Sequence, residues 1–446
     1  MEGRPSKEKM SSDKSKECIW GEEVIKRYID VADQESHDNP RMHLGLVLGL
    51  LGESLRNCTF KNGSESCRVH PLVFQKSGSG KESAFGVAEN IANLVDDQLN
   101  KDTTFDFHSV DNITSGNLAG TQVNGKNKRG VAEQHDILAL REAKDLFTHH
   151  EVRSRMRILM DGEEVTREMR EGTITTESTC TIMGTVPPRE ISADKVSKLV
   201  SEGTLARPLY FYSEIDLHDT TEIIGQILTE TSTDGQRENS ISSEKQKELT
   251  QRICRTLVQI TEHYADGVDF EIALSQETLE SAIREQIEEE LERHPEEVKM
   301  IVQPMLTRYT IHALRIACIM AALDECSHTV EEEHLDQAMT YWRQSFYGML
   351  DYFNRRQDEI SGVNKQAMRR ERDKARSKLD LLVEILKTPR IRQTRAADEL
   401  RVSPETIRGY AKELEEQGAI EVQKTGNSAR YIPVDNSRNS DVTDFM

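Results

Sequence analysis

The residues best suited to chemistry lie in the string Val73-Phe-Gln-Lys-Ser-Gly-Ser-Gly-Lys-Glu-Ser. An apolar run ends there, two glycines turn the chain, and a helical pattern follows over residues 83–95. Glycines let backbone N–H groups face phosphate oxygens, and a helix N-terminus adds positive potential. Ser77, Gly78, Ser79, Gly80, Lys81, Glu82 and Ser83 are therefore the candidate cofactor-binding residues, with Lys81 reaching the terminal phosphates. Against the phosphate-loop pattern G-x-x-x-x-G-K-[ST], Gly80 and Lys81 fit. Gln75 stands at the first glycine, Glu82 takes the position of the Mg²⁺-binding hydroxyl, and Ser83 comes one residue late. Taken alone, the string also suits a Gly/Ser turn with an exposed lysine.

Such a loop needs a strand before it and a helix after it. Strand-like runs occur at 69–74, 105–110, 136–140, 180–184 and 209–212, with helical patterns between most of them. That alternation predicts an α/β layer with a mainly parallel sheet. Residues 19–56 read as helical and 248–353 as all helix, with segments at 276–293, 305–323 and 330–347. The expected organisation is a disordered polar tail (1–17), a core (18–230), a linker (231–247), a helical lid (248–353), a basic linker helix (354–378), a compact last unit (379–434) and a tail (435–446).

The 446 residues carry a net charge of −20, so the average field repels phosphate. Any DNA contact needs a local patch, and residues 365–395 supply one, with eleven Lys/Arg against four Asp/Glu. The acidic surplus also suits a salt-rich cytosol. No apolar run follows the polar start, and the run at 44–52 is too short to span a bilayer. The seven cysteines are scattered and contain no CxxC pair, which points to reduced thiols and a cytoplasmic setting. His149-His150 has no third ligand at suitable spacing, so no metal site is expected there.

Read onward, residues 42–347 resemble the AAA+ ATPase module of the minichromosome maintenance (MCM) replicative helicases. Phe107-His-Ser-Val-Asp-Asn-Ile-Thr-Ser-Gly-Asn-Leu-Ala-Gly-Thr resembles the family's segment after the first phosphate-loop helix. Gly130-Val-Ala-Glu-Gln-His-Asp-Ile-Leu-Ala-Leu-Arg-Glu-Ala resembles its Walker B strand. There Arg141 stands in place of the Mg²⁺-orienting Asp, while Glu142 keeps the place of the water-polarising base. Cys180-Thr-Ile-Met-Gly-Thr-Val-Pro-Pro resembles the sensor 1 strand, with Val186 in place of its Asn. Leu205-Ala-Arg-Pro-Leu-Tyr-Phe-Tyr makes Arg207 the matching arginine finger, and Arg308 and Arg315 match the sensor 2 helix. The resemblance thus implies Glu142, Arg207 and Arg308 as catalytic groups, ATP and Mg²⁺ as cofactors, and a homo-oligomeric ring such as a hexamer. The substitutions leave nucleotide binding easier to support than hydrolysis. Each residue also has a plainer role: Glu142 as a helix cap, Arg207 as a surface residue, Arg308 and Arg315 as partners of acidic helix residues.

The last unit shows helical patterns at 379–386, 393–400 and 404–417, then two short strands, 420–423 and 430–433, around Thr425-Gly426-Asn427. Ser403-Pro404 starts the third helix with an N-cap and a preset first position. This order resembles a winged helix-turn-helix domain. Its third helix would enter the major groove, presenting Glu405, Thr406, Arg408 and Lys412, with Lys424, Asn427 and Arg430 on the wing. The expected fold is therefore an AAA+ P-loop core with a parallel sheet, an all-helical lid and a C-terminal winged helix-turn-helix. Three functional readings stay open: an ATP-dependent helicase or replication factor of a chromosome or mobile element, a non-catalytic DNA-binding regulator on a degenerate P-loop scaffold, and a primase-helicase accessory protein.

Overall fold

The structure, a computed structural model, describes residues 18–35, 40–75, 81–111, 113–123, 126–163, 165–169, 172–176, 180–187, 199, 207–213, 243–355, 391–400, 403–416, 420–425 and 428–433. Two compact units divide the chain, Met1–Ile360 and Ser361–Met446. The candidate phosphate-loop residues Ser77, Gly78, Ser79 and Gly80, the 379–386 helix and Asn427 lie outside the described residues.

The first unit opens with helices α1 (Glu23–Glu35) and α2 (Pro40–Ser54), both within the stretch 19–56 that reads as helical. Pro40 suits the first position of a helix, where its missing N–H costs nothing. Helix α2 is buried all round from Met42 to Ser54, as its uniformly apolar sequence requires. It lies close against the sheet because it has glycines where the surfaces meet. A Cβ on Gly49 would fall 2.6 Å from the Met183 side chain, and one on Gly52 would fall 2.8 Å from the Val69 backbone nitrogen.

The sheet has five strands: β1 (Pro71–Gln75), β2 (Phe107–Val110), β3 (Ile137–Leu140), β4 (Thr181–Val186) and β5 (Leu209–Ser213). Their spatial order is β5-β1-β4-β3-β2, and every neighbouring pair is parallel. The inner strands β1, β3 and β4 are buried at every residue, which explains their continuous apolar runs. After β1 comes α3 (Lys81–Asp96), whose Ala84, Phe85, Ala88, Ile91, Ala92 and Val95 form its buried face. The remaining helices of this unit include α4 (His150–Met160), α5 (Ser243–His263), α6 (Leu306–Leu323) and α7 (Glu332–Arg355).

The region read as all helix also contains two short strands. Asp269–Ile272 pairs in parallel with both Thr59–Phe60 and Thr329–Val330, so residues some 200 positions apart share a small sheet. Strands this short carry no periodic signal. Helix α5 begins at Ser243, within the stretch expected as a linker. The 276–293 segment is helical but includes a π-helical turn at Glu280–Glu285. Helix α6 is long and apolar enough to cross a membrane by length and composition, yet 67% of it is buried inside the unit. Helix α7 packs on β5, where Ser345 Oγ donates to the Tyr210 carbonyl at 2.5 Å, and Tyr352 stacks on Phe74 at 4.2 Å.

In the second unit, α8 (Gln393–Leu400) and α9 (Pro404–Glu416) pack on a three-stranded antiparallel sheet. Its strands are Ile391–Arg392, Ile420–Thr425 and Ser428–Pro433, the last lying in the middle. The core is small: Ile391, Ala396, Ala397, Ile407, Ala411, Leu414, Ile420 and Tyr431. Ser403 Oγ accepts from the Thr406 N–H at 3.1 Å, the expected cap of α9.

One charge lies deep in the first unit. Glu53, at the end of α2, is fully buried near Arg56 (3.4 Å) and Arg68 (3.7 Å). Burial pushes its carboxyl up to about 7 from the ordinary 4.5, over the opposing pull of Arg68. Between those values the folded chain keeps a proton that the unfolded chain has released. Stability contributed by that proton is complete below the unfolded value and is lost as pH rises through the folded one. The Glu53→Gln variant, neutral throughout, should flatten this fall by on the order of 3 kcal/mol, read from denaturant unfolding at about pH 4.5 and about pH 8.

Candidate functional site

The carboxyl ends of β1, β4 and β3 lie side by side. The chain leaves β1 for the far edge at β2, whereas it leaves β4 for the opposite edge at β5. In open α/β sheets, ligands bind beyond the strand ends where connections diverge in this way. Lys81 and Glu82 open α3 at that edge, and Arg141 and Glu142 follow β3.

There Lys81 Nζ lies 3.1 Å from Glu142 Oε1 and 3.3 Å from the Arg141 carbonyl oxygen. Lys144 Nζ reaches the other Glu142 oxygen at 3.2 Å. The Lys81 hydrogen bond, with the Lys144 ammonium second, holds the Glu142 carboxyl below the usual carboxylate range. Glu142 therefore does not cap the helix that follows. That helix, Lys144–Thr148, starts from Ala143 without a side-chain cap.

Glu82, which departs from the phosphate-loop pattern, faces Arg141, which departs from the Walker B pattern. Arg141 Nη1 lies 3.0 Å from Glu82 Oε2, and Arg141 Nε donates to Ser109 Oγ at 2.7 Å. The Arg141 backbone is fixed as well, since Thr185 Oγ1 donates to its carbonyl at 2.5 Å. Val186 ends β4 fully buried, paired in register with Phe74, and offers no polar group. Ser83 lies exposed in the first turn of α3.

These residues suit a phosphate chain: Lys81, Arg141 and Lys144 outnumber Glu82 and Glu142 by one charge, beside the N-terminus of α3. They do not suit Mg²⁺. Among the described residues its carboxylate ligands there would be Glu82 and Glu142, each already ion-paired, and a guanidinium stands where the resemblance implies a carboxylate. Among the described residues, no group of three or more His, Cys, Asp and Glu side chains could hold a metal.

The candidate arginines Arg207 and Arg308 meet at a different acid. Arg207 Nη2 lies 2.7 Å from Asp161 Oδ2, and Arg308 Nη2 lies 3.4 Å from Asp161 Oδ1. Arg308 and the buried Arg315 also approach Glu65, at 3.9 and 3.7 Å. Sequence reasoning missed Asp161, Glu65 and Ser109, whose partners lie far along the chain. The one available signal was the Asp161-Gly162 turn, where Gly162 has φ +76°.

In the second unit, Arg408 and Lys412 are exposed one helical turn apart on α9, with Glu405 on the same side and Thr406 half-buried. Lys424 lies in register with Ala429, and Arg430 is half-buried on the central strand.

Compared with models of known protein families and with curated protein sequences, the chain matches none.

Asp161 joins an arginine of the sheet layer to one of the helical layer, and its side chain is only 15% exposed. Asp161→Asn should therefore cost about 1–3 kcal/mol in urea denaturation, by removing the carboxylate charge that two guanidinium groups share.

Proposed function

We propose that the chain is a nucleotide-binding, DNA-associated protein in which ATP is a bound effector and is turned over little. The observation that carries this reading is the 3.1 Å approach of Lys81 to Glu142 at the diverging strand ends. It joins the lysine of the phosphate-loop string to the glutamate of the Walker B-like string, 61 residues apart. The five-stranded parallel sheet, with a helix starting at Lys81, is the frame such a loop requires.

A second reading, an MCM-like AAA+ motor, draws on the same pair. Two observations weigh against fast turnover. Phosphoryl transfer relies on metal and on groups that orient the attacking water. Arg141 is a cation where the metal-orienting acid belongs, and Val186 cannot hydrogen-bond through its side chain. Arg207, which a motor would direct at a neighbouring subunit's nucleotide, is engaged by Asp161 of its own chain.

The DNA side of the proposal rests on the second unit. Two helices on a three-stranded antiparallel sheet are compatible with a winged helix-turn-helix, whose expected first helix at 379–386 lies outside the described residues. The exposed Arg408 and Lys412 on α9 give it cations for the groove or the phosphates. The basic run at 365–395 leads into it.

Two measurements test the proposal with the full chain. ATP should bind the wild type and bind Lys81→Ala at least about tenfold more weakly, while phosphate release with single-stranded DNA stays at background in both. Turnover well above background that Lys81→Ala abolishes would establish the motor reading instead. Arg408→Ala and Lys412→Ala should each weaken DNA binding, and the loss of a phosphate contact at either position should reduce the log–log salt slope by about 1.

A further inference from the structure

The pairing of Glu82 with Arg141 carries the reading of the site one step further. Glu82 departs from the phosphate-loop pattern and Arg141 from the Walker B pattern that the resemblance implies, and they depart in opposite charge. The resemblance implies a neutral hydroxyl and an acid that together hold a divalent cation. Here those two positions hold an acid and a guanidinium 3.0 Å apart. We propose that this site takes the triphosphate of a nucleotide without a divalent cation, with the Arg141 guanidinium supplying the positive charge that Mg²⁺ otherwise brings. The proposal rests on the nucleotide-binding reading above and specifies how the phosphates are neutralised.

The geometry suits this role. Ser109 holds Nε and Glu82 holds Nη1, so two edges of the guanidinium are committed to protein. An arginine has five N–H donors in a fixed fork, so among the described residues Nη2 and the second Nη1 hydrogen remain for phosphate oxygens. Lys81 and Thr185 both donate to the Arg141 carbonyl, which fixes the residue before any ligand arrives. Glu82 is 60% exposed at its side chain and Arg141 35%, so the pair faces solvent, and an incoming phosphate can displace the Glu82 carboxylate. Arginine keeps its charge at every accessible pH and cannot be removed by a chelator.

A divalent cation meets the opposite conditions. It would have to approach a permanent guanidinium and strip Glu82 or Glu142 of the cations they already hold. The site's charge count gives it little reason to do so. Three cations against two carboxylates leave one net positive charge. With Lys144 counted in both, the set the resemblance implies, two lysines, a Mg²⁺ ion and two carboxylates, totals plus two, so this chain supplies all but one of those charges without a metal.

The test is ATP binding by the full chain, measured by isothermal titration at matched ionic strength with Mg²⁺ or with excess chelator. The wild type should give dissociation constants within about twofold of each other. The double variant Glu82→Ser with Arg141→Asp restores the metal-holding pair, and its affinity should drop at least about tenfold when Mg²⁺ is chelated. Wild-type binding that weakens about tenfold or more in chelator would overturn the proposal. If Lys81→Ala still abolished the Mg²⁺-dependent binding, the nucleotide reading would survive that result. Absence of ATP binding under both conditions would sink both together. The wild-type comparison decides the question even if the double variant fails to fold.

Discussion

The ion pair between Lys81 and Glu142 sets the terms for everything at the carboxyl edge of the sheet. It requires α3 to begin immediately beyond β1 and the chain to turn immediately beyond β3, with β4 between them carrying no bulk at the crossing. Gly184 meets that last condition: a Cβ there would fall 2.8 Å from the Leu140 carbonyl oxygen. Thr185 then anchors the Arg141 carbonyl, and its own carbonyl accepts the Ala143 N–H at 2.8 Å. The position of four charged side chains is thus fixed by backbone contacts among three buried strands. Solvent-exposed ion pairing alone gives little positional precision.

Charge is sorted within the first unit into separate groups. The pairs at the strand ends leave a net positive charge beside a helix N-terminus. The second group, Asp161 and Glu65 with Arg207, Arg308 and Arg315, runs between the sheet layer and α6. Both acids there are shared by two arginines, so the loss of one acid is felt by two partners. The deepest acid, Glu53, stands apart, held close to Arg56 and Arg68 under the sheet. The net charge of −20 describes none of these groups. The solvated helix faces account for part of the acidic surplus, as in the run Glu288–Glu290, where all three acids are paired with nearby Arg or His side chains.

Much of the frame was legible in the residues themselves. Buried parallel strands are apolar throughout, so the runs at 69–74, 136–140, 180–184 and 209–212 stand out, each within two residues of the strand observed. Lys81 could be picked from the Gly80-Lys81 match to the phosphate-loop pattern, and Glu142 because the string containing the run at 136–140 resembles a Walker B strand. Other features depend on contacts that sequence does not encode locally. Thr59–Phe60 becomes a strand only because Asp269–Ile272 lies beside it. Arg141 reads as a lost metal ligand until Glu82, 59 residues earlier, is seen across from it. Arg207 looks like a surface residue or a finger for another chain. Its pairing with Asp161 depends on a turn set by the end of α4.

The facing of Glu82 and Arg141 also restricts how this sequence can drift. Changing Arg141 to an acid while Glu82 remains would set two carboxylates against each other beside Glu142, with like-charge repulsion in place of an ion pair. Changing Glu82 first leaves Arg141 without its acid but still bonded to Ser109, a milder state. The two orders of substitution are therefore unequal, and the easier path to a hydroxyl and an acid at these positions changes Glu82 first. Positions 82 and 141 should change together or in that sequence among descendants of this chain, a mark of coupled inheritance written in electrostatics.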